Sequence, residues 1–221
     1  MSDRFTVKGM VLAASPIGEN DRRLVILTQK LGLISAFCRG AQRQKSTMSA
    51  GSRPFTTGSF EVIASRSSYT VVGMDVMNYF DALSYDPEAV AWGIYFMEFA
   101  QYYSREGIDG TDQLNLCYLA LTALEKDVMP RQLIASVYTL RTMKIAGEYS
   151  ETPFKKVGAQ AEAAWAHVIG APLGRLFAFT LPEDAIAEFD SAVRALQDHF
   201  VDSKFRSLQV LEEMRGAFSL T

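Results

Sequence analysis

Six cations in the first quarter of the chain have the types and spacing to bind a polyanion. Arg39, Arg43, Lys45 and Arg53 lie in one stretch, RGAQRQKSTMSAGSRPF (39–55), which holds no acid, two glycines, four hydroxyl residues and Pro54. Arg22 and Arg23 open the apolar run that precedes it by one strand. Guanidinium and ammonium groups neutralise phosphates without reading bases, so this set suits sequence-independent contact with a nucleic-acid backbone. Four such contacts would make log affinity fall with log salt at a slope of about −3.6, a loss of about two orders of magnitude between roughly 50 and 200 mM. Phe37, two residues before Arg39, would add the stacking platform that single-strand binding uses. The alternation of its strand favours an inward, core position for that ring over stacking. A plain solvated loop with ordinary surface cations is the bland reading of the same stretch.

Apolar alternating runs flank the basic stretch and must position it. Phe5–Ala14 has period two, with Phe5, Val7, Gly9 and Val11 on one face, and Ser15-Pro16-Ile17-Gly18 reads as a turn. Arg22–Gln29 and Leu33–Arg39 follow as strands, with Leu31-Gly32 turning between them. After the basic stretch come Gly58–Arg66 and Tyr69–Val76, joined at Ser67-Ser68. Five short strands in about eighty residues, with a long connection after the third, fit an OB-fold barrel, with an SH3-like barrel as the nearest competitor. A loop of this length is expected to be functional. Gly40 and Gly51, with Pro54, would bound a segment that moves to meet the strand.

From Asp86 the period becomes helical. Asp86-Pro87-Glu88 is a helix start, and the helix through Tyr103 carries Trp92, Phe96, Phe99 and Tyr103 on one stripe with Val90, Ile94 and Met97 beside it. Thr111 or Asp112 caps a second helix with Leu114, Cys117, Leu121 and Leu124 inward. Pro130 opens a third, which Gly147 stops. Glu148–Gly174 has weak periodicity and no legible element. Pro182-Glu183-Asp184 starts a helix with Ile186, Phe189, Val193, Leu196 and Phe200, and a last helix holds Phe205, Leu208, Leu211 and Met214. The fold class is therefore α+β: an N-terminal barrel (1–80) and an all-α domain (81–221).

Composition narrows the function classes. An apolar fraction of 48% and a charged fraction of 21% are ordinary for a globular protein. Cys38 and Cys117 read as reduced core residues of a cytoplasmic protein. No secretory signal or membrane-spanning run is evident. The net charge of −3 conceals a split. Residues 1–80 carry ten Lys/Arg against five Asp/Glu, or +5, and residues 81–221 carry twelve against twenty, or −8. No phosphate loop, dinucleotide fingerprint, nucleophile elbow or HExxH motif occurs, and His167 and His199 lack local partners. Catalytic residues and a metal are accordingly not expected.

The run GMVLAASPIGENDRRLVILTQKLGLISAFCRGAQRQKS followed by RPF resembles the N-terminal OB domain of the RecO family, bacterial mediators of recombinational DNA repair. The match runs through Gly9-Met10-Val11-Leu12, Gly18-Glu19, Asp21-Arg22, Thr28, Gly32, Arg39-Gly40, Arg43, Lys45-Ser46 and Pro54-Phe55. Phe205–Met214 is similar to the family's final helix, and the helix ending at Gly147-Glu148-Tyr149 to the one before its zinc-binding region. Many members carry a four-cysteine zinc module there; residues 148–180 of this chain contain no cysteine, which implies a metal-free replacement and no cofactor.

The resemblance implies a non-enzymatic, nucleoid-associated protein that binds single- and double-stranded DNA and anneals complementary strands. Its implied partners are RecR, the C-terminal tail of single-strand-binding protein and, indirectly, the recombinase RecA. Charge, strand position and the resemblance together give Arg22, Arg23, Phe37, Arg39, Arg43, Lys45, Ser46 and Arg53 as the candidate DNA-binding residues. Arg131, Arg141 and Lys144 are candidates by position for the acidic tail. Two other function classes stay open: an RNA-binding OB protein, which shares the electrostatics, and a protein–protein adaptor, whose apolar interface would not show a steep salt slope.

Overall fold

The computed structural model describes residues 4–65 and 68–218. Five strands close into a barrel in the order β1-β2-β3-β5-β4, the topology of an OB fold: β1 (Arg4–Ile17), β2 (Asp21–Thr28), β3 (Gly32–Cys38), β4 (Thr57–Ala64) and β5 (Tyr69–Asn78). Neighbouring strands are antiparallel except β3 and β5, which pair in parallel through Ala36–Tyr69, Phe37–Thr70 and Cys38–Val71. The expected end of the fourth strand at Arg66, and Ser67 of the connection after it, lie outside the described residues.

Alternation fills the barrel: Val7 and Val11 of β1, Leu24 and Ile26 of β2, Ile34 and Ala36 of β3, Phe60 and Val62 of β4 and Val71 of β5 share one buried cluster. Two details depart from the sequence reading. The expected turn at Ser15–Gly18 is still strand, because Ser15, Pro16 and Ile17 pair with Arg23, Arg22 and Asp21. The chain turns at Gly18, whose φ of 58° is easy only for glycine. A register shift between Val11 and Ala13 also breaks strict alternation, so Met10, Val11 and Leu12 are all buried.

Among the described residues seven α-helices complete the α+β fold: α1 (Met48–Gly51) inside the basic stretch, then α2 (Pro87–Tyr103), α3 (Thr111–Glu125), α4 (Arg131–Ala146), α5 (Ala159–Gly170), α6 (Glu183–Phe200) and α7 (Arg206–Phe218). The start of α2 is as expected: Asp86 Oδ1 accepts the N–H groups of Glu88 and Ala89, each at 3.1 Å, with Pro87 opening the helix. The N–H of Thr111, at the start of α3, is instead received by Asp109 Oδ1 at 2.8 Å. Gly147 stops α4 with φ 83°, and Glu148 N–H returns to Met143 C=O at 2.9 Å. Helix α5 falls in the stretch that periodicity left blank. Among the described residues no helix is long and apolar enough to cross a membrane.

The chain divides into two compact units, one of Met1–Asp81 with Ala100–Leu114 and one of Ala82–Phe99 with Asn115–Thr221. The boundary expected at residue 80 thus omits a segment of the first unit. Backbone hydrogen bonds explain its membership: Leu33 N–H to Arg105 C=O (3.2 Å), Gly107 N–H to Leu31 C=O (2.8 Å) and Gly110 N–H to Gln29 C=O (2.8 Å). Gly32 permits that approach, since a Cβ there would sit 2.1 Å from the Arg105 carbonyl oxygen and its φ is 66°.

Candidate nucleic-acid interface

The basic stretch is folded down on the barrel and is not an open loop. Asp21 Oδ1 accepts the Gly40 N–H at 2.7 Å, and Gln42 reaches the Asp21 carbonyl at 2.8 Å through its side chain. A series of turns follows, with N–H groups of Arg43, Ser46 and Ser49 returning to the carbonyls of Gly40, Arg43 and Ser46. Gly51 brings α1 hard against β5, where a Cβ would lie 2.7 Å from Met74 Sδ and 3.2 Å from a Val76 methyl. The chain rejoins the sheet at Phe55, whose φ of 72° is held by its N–H on Val11 C=O at 2.9 Å. The expectation of a segment bounded by Gly40, Gly51 and Pro54 that moves to meet a strand therefore gives way to a preformed surface. Internal hydrogen bonds and close packing supply what composition could not show.

Those same bonds divide the expected site residues. Arg22 is a pin: its Nη1 donates to Ser52 Oγ at 2.8 Å and Ser49 C=O at 3.2 Å, with Ser52 fully buried. Ser46 is spent in the same way, its Oγ accepting the Met48 N–H at 3.2 Å. Arg53 donates to Ala50 C=O at 3.3 Å, pairs with Asp81 at 3.4 Å and lies 5.8 Å from the centroid of the Tyr79 ring. Arg39, Arg43 and Lys45 are exposed, and no acid pairs with them among the described residues. The loop thus presents three unpartnered cations where the sequence suggested four.

Phe37 settles on the outside of the barrel at 40% exposure, so the inward alternative for its ring is overturned. Its neighbours explain this, since Ala36 and Cys38 take the inward positions of β3. The residues that pair across the strands beside it share its face: Arg23 on β2, Thr70 on β5 and Ile63 on β4. Arg23 is exposed, and its Nε donates to Ser35 Oγ at 2.7 Å, which lays the guanidinium along β3. Beside this row an open depression of about 450 Å³ is lined by Arg39, Met48, Ile63, Thr70, Val71 and Val72. Val72 is 39% exposed. An apolar depression with Arg39 in its lining, on the barrel face that carries Phe37 and Arg23, can take a stacked base while neighbouring cations hold phosphates.

Sequence reading missed Val72, Thr70 and Ile63 as a face, although alternation within the two runs it identified puts them outward with Phe37. It also stopped the last strand at Val76, two residues short of its end, and so missed Tyr79 beside Arg53. Cys38, at the barrel's core, is an unreactive thiol: burial pushes it up to about 11 against the opposing pull of Arg22. Neither cysteine is in a disulfide and both are buried, as expected.

The three cations suggested for an acidic peptide are placed elsewhere. Arg131 forms ion pairs with Asp86 and Glu88 and closes the start of α2. Arg141 Nη1 donates to the Val168 and Ile169 carbonyls, each at 2.9 Å, and Lys144 Nζ also donates to Ile169 C=O. Two cations thereby satisfy the C-terminal carbonyls of α5. A thiolate zinc module does not fit residues 148–180 either. The segment has no cysteine, and its polar groups are turned to the fold, with Trp165 Nε1 donating to Ser150 C=O at 3.0 Å and His167 Nε2 3.1 Å from Arg175 C=O.

Residues 1–80 match the family model described as "Recombination protein O N terminal". The chain is 31% identical over 140 residues to a DNA repair protein RecO of Alkaliphilus metalliredigens, covering 63% of this chain and 57% of that protein. It is 32% identical over 148 residues to one of Anaeromyxobacter dehalogenans, covering 66% and 58%. A third, from Clostridium novyi, is 22% identical over 143 residues, covering 65% and 56%. The matched stretch is thus under three fifths of the length of each of these curated relatives.

Proposed function

We propose, from the match of residues 1–80 to that family model and from the relatives named DNA repair protein RecO, that the chain is a RecO-family protein and a non-enzymatic DNA-binding mediator of recombinational repair. In this reading the barrel holds single- and double-stranded DNA by its backbone, anneals complementary strands, and acts with RecR to load RecA on strands coated by single-strand-binding protein. No metal takes part, because the residues that replace the family's zinc module offer no thiolate set.

One observation carries the reading. Arg39, Arg43 and Lys45 stand exposed, with no acid paired to them among the described residues, on a loop hydrogen-bonded to the barrel, and Arg39 lines an apolar depression on the face that carries Phe37. With Arg23 they make four backbone contacts, and four contacts to a single strand give a salt slope of about −2.8. A loop backbone already ordered by hydrogen bonds saves the cost of folding it on binding, and phosphate contacts add affinity without base selectivity.

Fluorescence anisotropy with an oligodeoxythymidylate, titrated across salt, tests it. Arg39→Ala with Arg43→Ala and Lys45→Ala should weaken binding about a hundredfold at 0.1 M salt and leave a slope near about −0.7. An unchanged slope removes the loop from the interface. Equal or tighter binding of a matched RNA strand would move the protein to the RNA-binding class, where the 2′-hydroxyl is the discriminating group.

A further inference from the structure

Two kinds of surface occur on the barrel, and they suit different states of a nucleic acid. Exposed Arg23, Arg39, Arg43 and Lys45 can meet phosphates, which single strands and duplexes both offer. The depression of about 450 Å³ is of the other kind. Met48, Ile63, Val71 and Val72 make its lining apolar, Thr70 adds a hydroxyl, Arg39 is its one cation, and no acid lines it. Val72 is exposed, and Met48, Ile63 and Thr70 are half-buried. The walls are built in: Ile63 pairs with Thr70 across β4 and β5, and α1, which carries Met48, is held against β5 at Gly51. A duplex keeps its base faces stacked on one another and turns only base edges outward, so it cannot fill an apolar hollow. An unpaired strand can turn a base face into one.

We propose that this depression takes the face of one unpaired base and so adds affinity for single strands that a duplex does not receive, with Val72 and Ile63 as the residues that set the preference. The inference rests on the DNA-binding reading of the barrel and adds to it: the cations hold both forms of DNA, and the depression holds one. Arg39 links the two surfaces, because it is exposed and also part of the lining. Its guanidinium is therefore placed to hold a phosphate next to the seated base. Met48 suits any base, since an unbranched thioether adapts its shape and its sulfur contacts aromatic rings favourably. The subsite thus sorts strands by pairing state and not by sequence.

The test is fluorescence anisotropy of the full chain, at one salt concentration, with three probes of equal length: an oligodeoxythymidylate, an abasic strand and a duplex. The parent protein should bind the thymidylate about five- to thirtyfold more tightly than the abasic strand, which offers the same phosphates without bases. Ile63→Thr with Val72→Thr keeps both side chains branched and removes apolar surface. It should lose most of that margin and bind the abasic strand and the duplex as the parent does. Those two probes use the cations alone and so report an intact barrel. If the double variant weakens on all three, single Val72→Thr, which alters one exposed side chain, decides the matter. A loss confined to the thymidylate supports the subsite, and an equal loss on all three, or none, overturns it. Equal binding of thymidylate and abasic strand by the parent overturns the subsite and leaves the backbone reading standing. Binding of none of the three overturns that reading, and the subsite with it.

Discussion

At the scale of single residues, identical side-chain types have opposite duties, and burial of their partners tells them apart. Arg22 and Arg39 both belong to the basic cluster, yet Arg22 is bonded to buried Ser52 while Arg39 faces solvent at the edge of a depression. Arg22→Ala should therefore destabilise the first unit by about 2 kcal/mol, because a charge-assisted bond to a buried hydroxyl is lost. Arg39→Ala should alter stability by less than about 0.5 kcal/mol and lower the salt slope by about 0.7. Chemical denaturation and salt titration of the two variants check both halves. A destabilised Arg39→Ala protein with an unchanged slope would reverse the assignment. A pH dependence follows from Asp86. Its hydrogen bond from Arg131 holds the carboxyl below its ordinary value of 3.8, with help from the Ala89 and Glu88 N–H groups and against desolvation. The unfolded chain thus takes the proton first as pH falls. The stabilisation is complete above the unfolded value and is lost as pH drops through the lower folded one. Asp86→Asn should flatten this part of the acid limb in thermal melts taken between about pH 5 and pH 2.

At the scale of elements, helix ends and glycine contacts fix which segments belong together. The C-terminal carbonyls of α5 are satisfied by Arg141 and Lys144 from α4. Arg141→Met, which keeps the stem and removes the donors, should raise amide exchange across Ala159–Gly170 and cost about 2 kcal/mol. Protection unchanged from the parent protein would show that burial of Trp165, Val168 and Ile169 alone holds the helix. Much of this level was legible in the sequence: all five strands, the Asp86-Pro87 start of α2, and the Pro130 and Gly147 ends of α4. Helix α5 was not, because its buried face includes Ala161 and Ala164, whose small side chains give little hydrophobic contrast against solvent-facing alanines. The four-residue α1 was hidden for a different reason. Its place is set by Gly51 against Met74 and by Arg22 beneath Ser49 and Ser52, contacts of long sequence separation that no local pattern encodes. The attachment of residues 100–114 to the barrel was hidden likewise, since backbone-to-backbone bonds leave only Gly32 and Gly110 as traces.

At the scale of the whole molecule, charge is sorted along the chain: +5 in residues 1–80 and −8 in residues 81–221. The three-dimensional arrangement sharpens that sorting on the barrel. Arg4 is paired with Glu61 and Arg53 with Asp81, and Arg22 keeps its charge but spends its donors inside the loop, which leaves Arg39, Arg43 and Lys45 as the loop's exposed cations with no acid paired to them among the described residues. A polyanion should therefore meet a localised patch and be repelled by the acidic helices, so that added DNA changes one region only. Hydrogen exchange with and without an oligodeoxythymidylate should show slower exchange in residues 36–53 and in β5, with no protection in α4, α5 or α6. Because the loop is already ordered by the Asp21–Gly40 and Arg22–Ser52 bonds, protection should rise only modestly, about a fewfold, and not by the large factors of a segment that folds on binding. Protection centred on α6 would place the DNA on the acidic unit, against its charge, and would require a different interface altogether.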